Sequence, residues 1–143
     1  SSRQAAGLPE SAISPNLGKL LALLLQISGA ERVLEIGTLG GYSTIWLARG
    51  LPPGGSLLSL ELREDHADLA RRNLAHAGFA ELATIRVGAA VDSLTDLINE
   101  GAGPYDFVFL AADKERYPAY LAVALALERP GTITVAASTV RTA

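Results

Sequence analysis

Apolar positions along the chain fall into two alternating periods. Leu17, Leu20, Leu21, Leu24 and Leu25 recur at helical spacing after Ser14-Pro15, a cap residue followed by proline at the first helical position, and Gly29 stops the run. Short apolar runs then occur at Arg32 to Ile36, Ser56 to Leu60, Ala83 to Val87, Tyr105 to Leu110 and Gly131 to Val135, lengths that predict strands buried on both faces. Between them, helical patterns cover about Tyr42 to Arg49, Asp65 to Ala77, Asp92 to Asn99 and Tyr117 to Leu127. Gly50 with Pro52-Pro53-Gly54-Gly55, then Gly78, then Arg129-Pro130-Gly131 separate them from the next strand. Strands alternating with helices predict an α/β fold, a doubly wound parallel sheet with right-handed crossovers, and the order expected for its five strands is 3-2-1-4-5. Ser1 to Ala12 carries Gly7, Pro9 and small residues without a period, which predicts a flexible arm.

The stretch from Val33 to Ser43 breaks the pattern in an informative way. Gly37, Gly40 and Gly41 remove side chains where the backbone must turn between strand and helix, so a ligand can approach the main chain and meet unpaired helix N-terminal amides. A branched side chain at Gly41 is then expected to intrude where ligand and backbone meet. Glu35 is a carboxylate inside an apolar strand and needs donors, which a ligand or the amides of the glycine turn could supply. The glycines would also serve as a plain tight connection, with Glu35 capping the helix. A second acid, Glu61, ends the strand Leu57 to Glu61 and lies twenty residues beyond Gly41, the spacing at which dinucleotide and related folds set an acid on ribose hydroxyls. Two hydroxyl donors on one carboxylate suit a ribose.

Composition narrows the classes. A chain of 143 residues, 49% hydrophobic and 19% charged, with a net charge of −3, fits a single domain with a buried core and not a disordered chain. No basic block offers a footprint for nucleic acid or a membrane surface, and the run Leu20 to Ile27 is too short to span a bilayer. Without cysteine there is no disulfide, thiolate metal site or thiol nucleophile. No leader-like segment opens the chain, which makes the cytoplasm the expected compartment. His66 and His76 fall in one helix and read as solvated residues.

No Gly-x-x-x-x-Gly-Lys-Ser/Thr run is present, and the turn is Gly-x-x-Gly-Gly after an acid, where a pyrophosphate turn would be Gly-x-Gly-x-x-Gly. An acid aimed at the turn suits a cationic ligand. Glu35 to Thr44 resembles the first motif of S-adenosylmethionine-dependent O-methyltransferases of the catechol and caffeoyl-CoA type. Gly103 to Lys114 and Arg129 to Ile133 are similar to further segments of that family, as are Leu8-Pro9-Glu10 and Ser14 to Gly18, which look like the approach to its cofactor pocket. The resemblance implies a Rossmann-like methyltransferase fold with S-adenosyl-L-methionine at the carboxyl ends of the strands. The implied cofactor contacts are Glu35, Gly37, Gly41, Tyr42, Ser43, Glu61, Leu62, Gly88, Ala89, Ala90 and Asp113. Tyr42 and Ser43 match positions near the methionine part, or serve as a packed ring and a helix cap. Gly88 and Ala89 match the border of the adenine, and Ala90 replaces a usual hydroxyl. Lys114 matches the position that deprotonates the acceptor hydroxyl, although a lysine amine needs burial or a neighbouring cation to act as a base at neutral pH.

In the family a divalent ion, usually magnesium, is held at positions that here are Ala111, Ala137 and Ser138. Two methyl groups and one hydroxyl cannot replace carboxylate and amide oxygens, so no metal is expected. Asp113 is displaced by about 6–7 Å along an extended segment from the lost position. The resulting expectation is a methyltransferase acting on a small catechol- or phenol-like acceptor, impaired or metal-independent, or else a silent cofactor-binding or interaction protein of the same fold. The glycine spacing and the lack of Tyr-x-x-x-Lys argue against a nicotinamide-dependent dehydrogenase. The family's closing antiparallel hairpin is absent from this sequence, which would leave the fifth strand as an open edge and predicts either a homodimer or a truncated piece of a longer chain.

Overall fold

The computed structural model describes residues 15–38, 41–112 and 114–138. The strands are β1 (Arg32–Ile36), β2 (Ser56–Glu61), β3 (Ala83–Val87), β4 (Tyr105–Ala112) and β5 (Glu128–Ser138). They form one sheet in the order β3-β2-β1-β4-β5, and every pairing in it is parallel. This is the doubly wound arrangement the sequence predicts. The helices are α1 (Pro15–Ser28), α2 (Tyr42–Gly50), α3 (Glu64–His76), α4 (Ala90–Asn99) and α5 (Tyr117–Ala124). The expected arm and the segment Leu8-Pro9-Glu10 lie outside the described residues.

Side chains alternate across each strand, so the sheet feeds two cores. Val33, Leu57, Phe107 and Phe109 pack with Leu21 and Leu25 of α1, Leu47 of α2 and Leu74 of α3. Leu34, Ile36, Leu60, Val108 and Leu110 face the other way, against Leu94 and Leu97 of α4 and partly buried Leu121 and Val123 of α5. Among the described residues no helix is long and apolar enough to cross a membrane.

Several boundaries differ from expectation. The helix expected from Asp92 begins at Ala90, with Ala89 as its cap. The helix expected to reach Leu127 gives way after Ala124 to a 3-10 turn, Leu125–Leu127. β5 starts at Glu128, before the Pro130-Gly131 pair that was read as its opening. Proline has no amide to donate to a ladder, and here a side chain substitutes. The Arg129 amide donates to Thr132 Oγ1 at 2.9 Å, and that hydroxyl donates to the Tyr105 carbonyl at 2.7 Å. The register shift between Tyr105 and Phe107 accommodates this irregular start.

The Gly18 segment, expected at the approach to a pocket, contributes a close helix contact. Gly18 is buried where the Trp46 ring of α2 crosses α1, and a side chain there would collide with the indole. The Ser14 cap lies outside the described residues.

Candidate functional site

The carboxyl ends of β1 and β2 are joined by the turn that the glycines allow. Gly37 takes φ of +97°, its amide donates to the Leu60 carbonyl at 2.7 Å, and a side chain on it would meet the Ala111 carbonyl at 2.6 Å. Three strand ends therefore meet at one backbone position. Gly41 caps α2 with φ of +90°, and its amide donates to the Thr38 carbonyl at 2.9 Å. A Cβ on Gly41 would come within 2.9 Å of the Ala70 Cα on α3. The bare backbone at Gly41 thus serves helix packing, which corrects the expectation that a side chain there would meet a ligand. Leu39 and Gly40 lie outside the described residues.

Glu61 ends β2 beside this turn, 8% exposed. Its Oε1 accepts the Thr38 amide at 3.1 Å and the Thr38 hydroxyl at 2.7 Å, and its Oε2 accepts the Arg63 amide at 3.0 Å. His66 Nδ1 lies 3.8 Å from Oε2. The Gly88 amide donates to the Glu61 carbonyl at 2.9 Å, which ties the end of β3 to the same place. Leu62 is 62% exposed next to it, and Ala89 and Ala90 open α4 beyond Gly88.

Glu35 is fully buried, and among the described residues its donors are side-chain hydroxyls. The hydroxyls of Ser43, Thr44 and Ser59 all donate to its carboxylate, Ser59 at 2.7 Å. The pleat explains the site: Glu35 points to the face covered by α2, and the parallel ladder places Ser59 directly beside it. The sequence reading of Glu35 as a ligand or turn-amide acceptor is corrected accordingly. Burial pushes its carboxyl from 4.5 up to about 7, against the pull of the three hydroxyls, and the nearby Glu61 adds to the rise. The Ser43 hydroxyl is buried and occupied by Glu35, so it neither caps the helix nor reaches toward a methionine group. Tyr42 is half-buried and packs against the core on that face.

At the far side of the crevice, β4 and β5 bring Ala111 beside Ala137 and Ala112 beside Ser138. Two methyl groups therefore stand where a pair of oxygen ligands would be needed, and this donor set does not fit a hard divalent cation. Among the described residues no group of three or more histidines, aspartates or glutamates could hold a metal ion. Lys114 opens a 3-10 turn, Lys114–Arg116, with its side chain exposed, and Asp113 lies outside the described residues.

Thr38, Thr44 and Ser59 are the polar residues that sequence reasoning passed over, together with His66 as a neighbour of Glu61. Each had a signal. Thr38 sits between the glycines, Ser59 is level with Glu35 in adjacent strands, and His66 follows Glu61 by five residues into the first turns of α3.

The sequence model of a family described as O-methyltransferase matches residues 2–141. A catechol O-methyltransferase of Niastella koreensis is 49% identical over 95% of this chain and 62% of its own length. A catechol O-methyltransferase of Mycobacterium tuberculosis is 48% identical over 96% of this chain and 61% of its own. The crystal structure of an O-methyltransferase from Bacillus cereus in complex with SAH superimposes with a TM-score of 0.90 at 52% identity, covering 94% of this chain and 61% of that one. The chain thus spans about three fifths of the length of the relatives it matches.

Proposed function

The chain belongs to the O-methyltransferase family, and from that premise we propose that it binds S-adenosylmethionine in the crevice at the ends of β1 to β4 and transfers methyl groups to a small hydroxylated acceptor. The observation that carries this reading is the near-buried Glu61 carboxylate, held against the glycine turn with acceptor capacity left on Oε2. A charged acceptor in that position suits a ribose hydroxyl and repels a phosphate. The B. cereus relative with SAH supports the same ligand class.

When bound, S-adenosylmethionine supplies a sulfonium methyl, whose transfer to an acceptor oxygen leaves a neutral thioether and frees the hydroxyl proton. Glu61 orients the nucleoside. Leu62, Gly88, Ala89 and Ala90 border the adenine, Gly37 and Tyr42 flank the turn toward the sulfur, and Asp113, outside the described residues, is a further candidate cofactor contact. Lys114 is the candidate that takes the acceptor proton. Glu35 acts from behind, holding Ser43, Thr44 and Ser59 in place and so fixing the first turn of α2 on the sheet. Because Ala111, Ala137 and Ser138 leave no oxygen cage, transfer to a catechol-like acceptor is metal-independent and slow.

The proposal includes a cytoplasmic homodimer, supported by exposed Leu20, Leu23 and Ile27 on α1. Sedimentation equilibrium reads that state directly, and a monomer at working concentration removes this part of the proposal.

Calorimetry with S-adenosylhomocysteine tests the cofactor assignment. Glu61→Ala should lower affinity roughly tenfold to a hundredfold, the loss of one charge-assisted hydrogen bond worth about 1.5–3 kcal/mol. Unchanged affinity in a folded Glu61→Ala protein would sink the assignment.

A further inference from the structure

We propose that His66 is a second ribose-recognising residue, its Nδ1 converging with Glu61 Oε2 on one hydroxyl of the nucleoside. The inference deepens the cofactor reading above and rests on it. Ala67, Ala70 and Leu74 bury one face of α3, which turns Glu64 and Asp65 out to solvent and leaves His66 half-buried at the border, beside the end of β2. There Nδ1 stands 3.8 Å from Glu61 Oε2. That separation is too long for a direct hydrogen bond, and it is one that a single oxygen can bridge. An oxygen about 2.8 Å from both atoms would see them at an angle of about 85°, and a hydroxyl can serve both, donating its hydrogen to the carboxylate and accepting from the ring N–H.

The groups around the pair leave this role to the imidazole. Arg63, the nearby cation, is turned onto Asp65, with its Nε 3.0 Å from Oδ1 and a terminal nitrogen 2.8 Å from Oδ2, and its hydrogen bond to Glu61 Oε2 is made by the backbone amide at 3.0 Å. The Thr38 amide and hydroxyl both donate to Oε1, the other oxygen of the carboxylate. His66 is thus the side chain that faces Oε2. In a neutral imidazole one nitrogen carries the hydrogen, and a carboxylate facing Nδ1 favours the tautomer with the hydrogen there. The acid reads ribose hydroxyls as donors, and the histidine reads one of them as an acceptor. Together they recognise that hydroxyl by both of its capacities.

The test is a thermodynamic cycle between one side chain and one hydroxyl. Calorimetry compares S-adenosylhomocysteine with its 2′-deoxy and 3′-deoxy analogues on the unmodified chain, on His66→Ala and on His66→Asn. His66→Ala should bind S-adenosylhomocysteine roughly three- to tenfold more weakly. Against the analogue that lacks the shared hydroxyl the same substitution should cost under about twofold, and against the other analogue its full factor should remain. His66→Asn, whose amide nitrogen can take the place of Nδ1, should stay within about threefold of the unmodified chain. Thermal unfolding shows that each variant is folded, and His66→Ser takes the place of His66→Ala if the alanine variant is not. Unchanged affinity for S-adenosylhomocysteine in His66→Ala overturns the proposal. So does a cost of His66→Ala that is equal for the two analogues, since one shared hydroxyl must separate them. If the unmodified chain binds no S-adenosylhomocysteine at all, the cofactor reading fails and this inference falls with it, a result distinct from the other two.

Discussion

Between about pH 4.5 and 7, Glu35 holds a proton in the native protein that the unfolded chain would release. Its carboxyl is pushed from 4.5 to about 7, chiefly because burial strips water from the charged form. Between those two values the native state binds more protons than the unfolded state, so stability falls as pH rises from about 4.5 to 7 and is level above. The shift corresponds to roughly 3 kcal/mol across that window. Asp65, Glu100 and Asp106 are shifted the other way, by their arginine partners and by backbone amides, and lose their contribution only as pH drops through and below the ordinary carboxylate range. Urea unfolding should therefore show the protein less stable at pH 8 than at pH 5, and Glu35→Gln should remove most of that difference. A slope that persists unchanged in Glu35→Gln assigns the effect to another group. At this scale the sequence was half readable. An acid inside an apolar strand announced a special site, but its partners come from strand register and from the helix beyond the turn, which no local pattern specifies.

The elements meet closely at their ends, and Gly41 shows what that closeness requires. A valine there would hold φ near +90°, a conformation open to glycine and strained for branched residues, and would drive its Cβ into the backbone of α3 at Ala70. Both effects act on folding, and together they should destabilise Gly41→Val by about 2–4 kcal/mol. Thermal unfolding measures it, and a variant of native stability that has lost only S-adenosylhomocysteine binding would return Gly41 to the ligand. The strands and helices themselves were legible because buried parallel strands are continuous apolar runs and because Gly29, Gly50 and Gly78 mark helix ends. Less legible was the start of β5, where Thr132 bonds across to Tyr105 and carries the strand past a proline. Proline and glycine read locally as an opening, and only the neighbouring strand shows that pairing has already begun.

Over the whole molecule, the family's chemistry and this chain's residues meet where β4 and β5 end side by side. Ala111 and Ala137 are register partners there, with Ser138 following, so Ala111 meets two adjacent positions 26 and 27 residues further along the chain. The convergence is a property of the sheet and survives substitution, whereas the ligand atoms do not. Calorimetry with magnesium should register no binding up to millimolar concentration, and any methyl transfer to a catechol should be unaffected by chelator. Ala111→Asp, Ala137→Asp and Ser138→Asn together restore two carboxylates and an amide on a backbone already in place. Two added charges inside a partly buried cleft repel each other without a cation, so the triple variant should be destabilised when stripped of metal and regain stability as magnesium is added, by RT ln(1 + [Mg]/Kd). Thermal unfolding against magnesium concentration reads this even where no acceptor is known. A triple variant whose unfolding ignores magnesium means that the three positions do not form a cage on this sheet. Magnesium binding by the unmodified chain, with activity lost on chelation, would instead show that oxygen ligands elsewhere replace them.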